Sequence, residues 1–575
     1  MQHIARSTKT TILSLLLLVA FASGLFAYSV DLRRSWFGTS PVCPETWLTS
    51  ATLLCSREWY QEGPWHLRFG LVLDPNSIES PDLASREVYC SYPPGVILPI
   101  YALSQVLRRE PSLKMLMAYG LFNHLAISVL LSFIAFFFVR RCGFGPINAS
   151  LLASIPVVAF LFLPSPFYEF QMGYLHDLAV LLPFAAYVFL ECVRDQTTSM
   201  RARTILSWLQ GLVAFFGILC DWLFAFVVFS LYMKRLAAGE IATWSCTDPC
   251  SPAKILGRFL RNSVRFWFSF ALAVGLFVLQ LYHYNGFRVI LGRFRERTGV
   301  TGHSFLSPTL DNRFWNTHMV RGYGTTGRTL VYVSFVALLL LIAYAVCYRV
   351  LRKRSNASVN AGAGLMFLLL VPCVLQVFVF AQHSSHMFHY FSTAKFALPI
   401  AIIPFVLLPV SVLMCLRYPK PFPLWGRVIP PMLVALAAWY VYGQSPRLMP
   451  NLVPPFGSDP VVLGACIDRH TDYADVVFTP DPGLETVGTP VLLAETMKRV
   501  YLAASVERVR DKLAGVTGEY VVNYLVPQTE LTLLGDDIQW LITYAYASEP
   551  CENLVLYKVR KADFLRLCGE LGLPS

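Results

Sequence analysis

The chain has 575 residues, of which 55% are hydrophobic and only 14% charged, with a formal net charge of +12. A soluble domain carries about 25% charged residues, so a soluble globular protein is excluded and a polytopic membrane protein is implied. The partners this composition points to are membrane lipids, not nucleic acid.

Apolar runs long enough to cross about 30 Å of hydrocarbon begin near Thr11 and end near Tyr442. They predict about eleven transmembrane helices, at 10–28, 113–139, 148–164, 177–193, 204–220, 222–235, 266–284, 329–348, 364–381, 396–416 and 428–443. Lys and Arg cluster in alternate short loops, at Arg6/Lys9, Arg140/Arg141, Arg194–Arg203, Lys234–Arg265, Arg349–Arg354 and Arg417–Arg427. The positive-inside rule then puts the N-terminus in the cytoplasm. It turns the loop after the first span, 285–328, 382–395 and everything after Tyr442 outward. The basic start and leucine-rich core of the first span resemble a signal peptide, but Gly24-Leu-Phe-Ala27 makes a poor cleavage site, so an uncleaved anchor is expected. Sequons at Asn148 and Asn356 fall on the cytoplasmic face and say nothing about glycosylation.

The loop 29–112 is patterned rather than a mere connector. Over Glu45–Tyr60 the apolar residues Trp47, Leu48, Ala51, Leu54, Cys55 and Trp59 recur near helical spacing, predicting an amphipathic helix in the interface. Next comes Tyr92-Pro-Pro-Gly95. Pro93 and Pro94 fix an extended entry, Gly95 permits close backbone approach, and Val96–Leu107 reads as a short interfacial or re-entrant helix.

After residue 443 the composition changes. The region 444–575 mixes β-rich runs (Val461–Leu463, Asp475–Phe478, Tyr520–Leu525, Asn553–Tyr557) with helical ones (Leu492–Val509, Asp536–Tyr546), predicting an outward α/β domain behind a 1–443 membrane module. Of the 14 cysteines, Cys43, Cys55, Cys90, Cys466, Cys551 and Cys568 are expected outside, where disulfides are permitted. Cys246 and Cys250 form a lone pair on the cytoplasmic side, too few ligands for a zinc site.

A first span, a long outward loop with Glu45 opening an amphipathic helix, a Tyr92-Pro-Pro-Gly95 return, many further spans and an outward α/β tail together resemble the GT-C superfamily. These are multispanning glycosyltransferases that use polyprenyl-phosphate-linked sugars, among them protein mannosyltransferases and aminoarabinose transferases. The resemblance implies transfer of a sugar from a polyprenyl-phosphate carrier to a glycan, lipid or protein acceptor on the outer side of a cell membrane. The acidic dipeptide usual after the first span is replaced by Pro44-Glu45, with Asp31 immediately after the span, so the catalytic acid stays open between them.

Transfer to a hydroxyl needs a base for the acceptor proton and cations for the departing phosphate. Candidate acids are Glu45, Asp31 and Asp177, with Glu169 and Asp221 also at the outer boundary. Asp177 and Asp221 have a plainer reading as helix caps. Candidate phosphate-binding groups are Arg288, Arg293, Arg295 and Arg297, which also read as a lipid-touching face, with Lys395 and His386. Tyr92, Pro93, Pro94 and Gly95 are expected to wall a groove for the carrier's lipid. The run His383–His389 drifts off one helix face, so no metal site is assigned, and a divalent-metal requirement stays open. A transporter or flippase for a lipid-linked or anionic solute is the alternative. Against it, no internal repeat is visible.

Overall fold

The computed structural model describes residues 2–38, 46–73, 88–172, 176–241, 252–284, 286–298, 313–352, 357–385, 390–416, 425–452, 459–472, 475–481, 500–514, 519–528, 534–551 and 553–573. The chain forms two compact units, one of Met1–Phe37, Met117–Val278 and Leu291–Val453, the other of Gly38–Leu116, Leu279–Ile290 and Pro454–Ser575.

The first unit is helical. The eleven apolar stretches read from the sequence are mostly helical, with breaks at Leu163 and Val180. Among the described residues, seven are long and apolar enough to cross a membrane: Lys9–Leu32, Leu113–Arg141, Met200–Cys220, Phe259–His283, Phe314–Tyr348, Ala357–Val379 and Ser392–Cys415. The pair Pro146–Phe162 and Pro164–Gln171, bent by 59°, adds an eighth if it forms one broken span rather than a re-entrant loop. The bend follows from Pro164, which pushes Leu163 out of the helical region to φ −63°, ψ 139°. Three of the expected spans fall short. Leu181–Gln196 has 16 residues, Leu223–Ala237 has 15, and the apolar stretch of the last helix is Val428–Gly443. These helices in a chain of this composition make an integral membrane protein.

In the second unit, residues 46–62 form the expected helix, Thr46–Glu62. It is not an exposed interfacial one. Thr49, Thr52, Leu53, Leu54, Cys55, Ser56, Glu58 and Trp59 are all buried, on more than one face. Trp59 explains this. Its indole donates to the Gly70 carbonyl at 2.9 Å, and its ring meets Phe69 and Tyr101 edge-on at 5.7 and 5.9 Å. Tyr101 belongs to the helix Leu98–Leu107, which follows a tight turn at Pro94–Val96 and a Pro93 held extended at φ −66°, ψ 157°. At 10 residues this helix is about 15 Å long, too short to cross a bilayer.

The C-terminal part of this unit is a five-stranded sheet: β1 (Val476–Thr479), β2 (Val500–Leu502), β3 (Val521–Pro527), β4 (Ala547–Cys551) and β5 (Leu554–Arg560), in the order β2-β1-β3-β5-β4. β1 pairs in parallel with β2 and β3, whereas β3-β5 and β5-β4 are antiparallel. Helices Val506–Leu513, Asp536–Thr543 and Lys561–Glu570 share one core with the sheet, built on Val522, Tyr524, Val526, Leu541 and Phe564. Two sequence readings are corrected here. Val461–Leu463 is not a strand; it lies in the helix Asp459–His470, which packs Leu463 and Ile467 against Val477 and Leu525. Of the expected helix 492–509, residues 492–499 lie outside the described residues and Val500–Leu502 is strand β2. Its Val-Tyr-Leu run pairs with buried β1, and helix starts only after Ser505, whose hydroxyl caps Arg508 N–H.

Cys466 and Cys551 form a disulfide, tying the Asp459–His470 helix to β4 with 5.7 Å between Cα atoms. Cys55, Cys90 and Cys568 are free and buried. Burial pushes the Cys90 thiol up to about 11 and holds Cys55 well above its ordinary value. Cys43, Cys246 and Cys250 lie outside the described residues.

Candidate functional site

Three helix ends of the first unit converge on a buried ionic cluster. Asp177 sits in the single turn His176–Ala179, ahead of Leu181–Gln196. Asp221 is the extended residue between Met200–Cys220 and Leu223–Ala237. That sharp reversal depends on Gly217, where any Cβ would come within 2.3 Å of the Phe224 ring. Lys395 lies in the tight helix Tyr390–Phe396, at the head of the span Ser392–Cys415.

Lys395 Nζ stands 2.6 Å from Asp177 Oδ1 and 3.1 Å from Asp221 Oδ2. Asp221 Oδ1 accepts from the Leu223 backbone N–H at 2.5 Å and from Gln376 Nε2 at 3.3 Å. Asp221 thus accepts from the first N–H of the following helix, whose N-cap is Trp222, and it also holds an ammonium. Asp177, Asp221 and Lys395 are 5%, 0% and 3% exposed, so a low-dielectric setting strengthens every contact between them. The Tyr390–Phe396 backbone is fixed from behind. Tyr323 Oη donates to the Thr393 carbonyl at 3.0 Å, Tyr440 Oη to the Tyr323 carbonyl at 2.9 Å, and Cys373 Sγ to the Lys395 carbonyl at 3.3 Å.

Among the described residues, two carboxylates share this one ammonium. Asp221 accepts from three donors, and Asp177 is the second carboxylate on the same ammonium. Such a group is suited to take a proton. Lys395 stands where a cation between two carboxylates belongs. Among the described residues no group of three or more His, Cys, Asp or Glu is arranged to hold a metal.

The remaining sequence candidates are placed elsewhere. Asp31 is exposed near the end of the Gln2–Leu32 helix. Glu45 and His386 lie outside the described residues. Arg288, Arg293 and Arg295 are exposed along the helix Phe287–Thr298 and Arg297 is half-buried there; Arg293 pairs with Glu296 at 3.1 Å. Tyr92, Pro93, Pro94 and Gly95 are buried, Tyr92 stacking on Tyr89 at 6.3 Å. Glu169 is buried on Pro164–Met172.

Sequence reasoning missed two features. Arg33, one residue beyond the first span, is 1% exposed. It donates to the Ser29 carbonyl at 3.0 Å, the Ser29 hydroxyl at 2.9 Å and the Phe167 carbonyl at 2.6 Å, and lies 4.5 Å over the Phe167 ring. It staples the first span to Pro164–Met172. The second feature is a charged layer at the far ends of the two short helices. Glu191 meets Lys234 at 2.8 Å and Arg235 at 2.6 Å, and Lys234 reaches Asp195 at 2.7 Å. Gln210 donates to Glu191 at 3.1 Å. Its signal was present in the acids and bases at the ends of the expected spans 177–193 and 222–235.

Asp177 and Glu191 are fourteen residues apart in sequence, or about 21 Å at helical rise. That is less than the roughly 30 Å of hydrocarbon. Buried charges this close together along a short helix need internal partners, and each layer supplies its own.

No protein-family model and no curated protein sequence matches the chain. Solved structures do. ArnT from Cupriavidus metallidurans bound to undecaprenyl phosphate is similar over 94% of this chain and 97% of that chain, at 12% identity and a TM-score of 0.52. The archaeal oligosaccharyltransferase AglB from Archaeoglobus fulgidus, in complex with an inhibitory peptide and a dolichol-phosphate, is similar over 96% of this chain and 76% of that chain, at 10% identity and a TM-score of 0.45. The chain shares the fold of that ArnT structure, a fold expected from its resemblance to the GT-C glycosyltransferases.

Proposed function

We propose that the protein transfers a sugar from a polyprenyl-phosphate carrier to an acceptor on the outer side of the membrane. The observation that carries this reading is the buried Asp177–Lys395–Asp221 cluster set in a GT-C fold. Asp177 takes the acceptor hydroxyl's proton. Lys395 holds Asp177 in place, and Asp221 offsets the lysine's charge so that Asp177 stays basic. The exposed Arg288, Arg293 and Arg295 offer charge-assisted contacts to the carrier phosphate. That the solved relative is bound to undecaprenyl phosphate supports a lipid carrier of this kind. The Cys466–Cys551 disulfide supports an outward C-terminal domain, since such bonds persist in oxidising compartments.

Mass spectrometry of cell-envelope glycans with and without the gene tests this reading. Loss of one sugar from an otherwise intact envelope component supports it, and an unchanged envelope counts against it. A second reading, a flippase or transporter, is favoured by one observation: charged groups are buried at both ends of the two short helices, as along solute pathways. Sealed vesicles separate the two. A flippase moves the carrier with its sugar–phosphate bond intact, whereas a transferase breaks that bond.

A further inference from the structure

Three residues separate the end of the span Phe259–His283 from the start of the helix Phe287–Thr298. Along that span Val264, Phe268, Leu272, Leu276, Leu279 and Tyr282 are all exposed, at three- and four-residue spacing. They form one apolar stripe running to the end of the helix, the mark of a lipid-facing surface. The exposed apolar residues continue in the next helix with Phe287, Leu291 and Phe294 at 45%, 51% and 50% exposure.

At 3.6 residues per turn these three side chains fall within about 60° of arc, with Arg288 and Arg295 on one flank and Arg293, paired to Glu296, on the other; Glu296 is roughly opposite, beside the single exposed Val289. A chain leaving a span can move at most about 3.5 Å per residue, so the helix starts within reach of the bilayer surface. An apolar strip between cationic flanks, with its acid turned away, matches a leaflet's acyl boundary below and its phosphates at either side.

We propose that Phe287–Thr298 lies in the membrane interface and recruits anionic phospholipid, its apolar strip among the acyl chains and its arginines on headgroup phosphates. The occupant is the bilayer itself. This holds whether or not the protein transfers sugar, since it needs only the leaflet's own lipids. Each arginine near such a surface favours anionic over zwitterionic lipid by about fivefold.

The test uses the full-length protein in nanodiscs of equal phosphatidylglycerol and phosphatidylcholine. The photocrosslinker p-benzoylphenylalanine replaces Phe287, Leu291 or Glu296 in turn, and adducts are read by mass spectrometry. Lipid adducts are expected at 287 and 291 and few at 296, with phosphatidylglycerol in roughly tenfold excess. Arg288→Gln with Arg295→Gln should cut that excess severalfold while leaving the adducts themselves. The proposal is overturned if 287 and 291 give no lipid adduct, if they crosslink to a second copy of the chain, or if the two lipids are captured equally with all arginines present.

Discussion

Lys395 and Asp177 are 218 residues apart in sequence, yet the ammonium and the carboxylate meet at 2.6 Å where both side chains are nearly buried. Neither would be stable there alone, because a buried charge stripped of its partner costs several kcal/mol. The contact is therefore also a constraint. It fixes where the head of the last long span sits against the turn that carries Asp177.

Removing the ammonium should be more damaging than removing the whole set of charges. Lys395→Met leaves two carboxylates uncompensated and should cost about 3–5 kcal/mol. Adding Asp221→Asn should restore part of that loss, with a coupling energy of about 0.5–3 kcal/mol. Thermal unfolding of the purified variants in one detergent measures both. Strictly additive losses would mean the three groups do not act as a unit.

At the opposite ends of the short helices, Glu191 holds Lys234 and Arg235 together. Glu191→Gln should lower stability by about 3–5 kcal/mol, the cost of breaking a buried pair. At a temperature where the variant stays folded, transfer should be preserved, because Glu191 lies near the far end of the helix Leu181–Gln196 that the Asp177 turn precedes. A variant that is fully stable but inactive would instead place this layer in the chemistry.

The disulfide gives a redox test of orientation. In protein denatured without reductant, Cys466 and Cys551 should resist maleimide until reduced, whereas Cys55, Cys90 and Cys568 should label at once. In folded protein at pH 8, Cys90 should label slowly, since a thiol pushed up to about 11 is almost wholly protonated there. Losing the bridge by Cys466→Ser should cost the C-terminal domain about 2–4 kcal/mol. Direct labelling of Cys466 in protein taken from cells would place this domain in a reducing compartment.

Much of the fold was legible because membrane helices announce themselves locally. An apolar run such as 113–139 needs no tertiary information to be read, and the observed Leu113–Arg141 ends on the arginines that marked its boundary. β2 was not legible, because Val500–Leu502 is apolar at both periods and only its pairing with β1 makes it a strand. The Thr46–Glu62 helix was found, but its burial was not, since the partners that cover Trp59 lie at Gly70 and Tyr101. The site was half legible. Asp177 and Lys395 stood out separately, one as an acid and the other as a phosphate partner. Their union, and Asp221's part in it, is a contact across helices with no signature in spacing. Arg33 carried no signal, because an arginine just past a span reads as an ordinary interfacial charge.

The central claim is that Asp177, held by Lys395, is the base in sugar transfer, and one measurement addresses it directly. Purified protein in nanodiscs is given polyprenyl-phosphate-linked sugars and acceptor extracted from membranes lacking the gene, and product formation by wild type is compared with Asp177→Asn by mass spectrometry. The account predicts transfer of a single sugar by wild type and a fall of about 10²–10⁴ in rate for the variant, with folding intact by thermal scan. Undiminished transfer by a folded Asp177→Asn protein would contradict it.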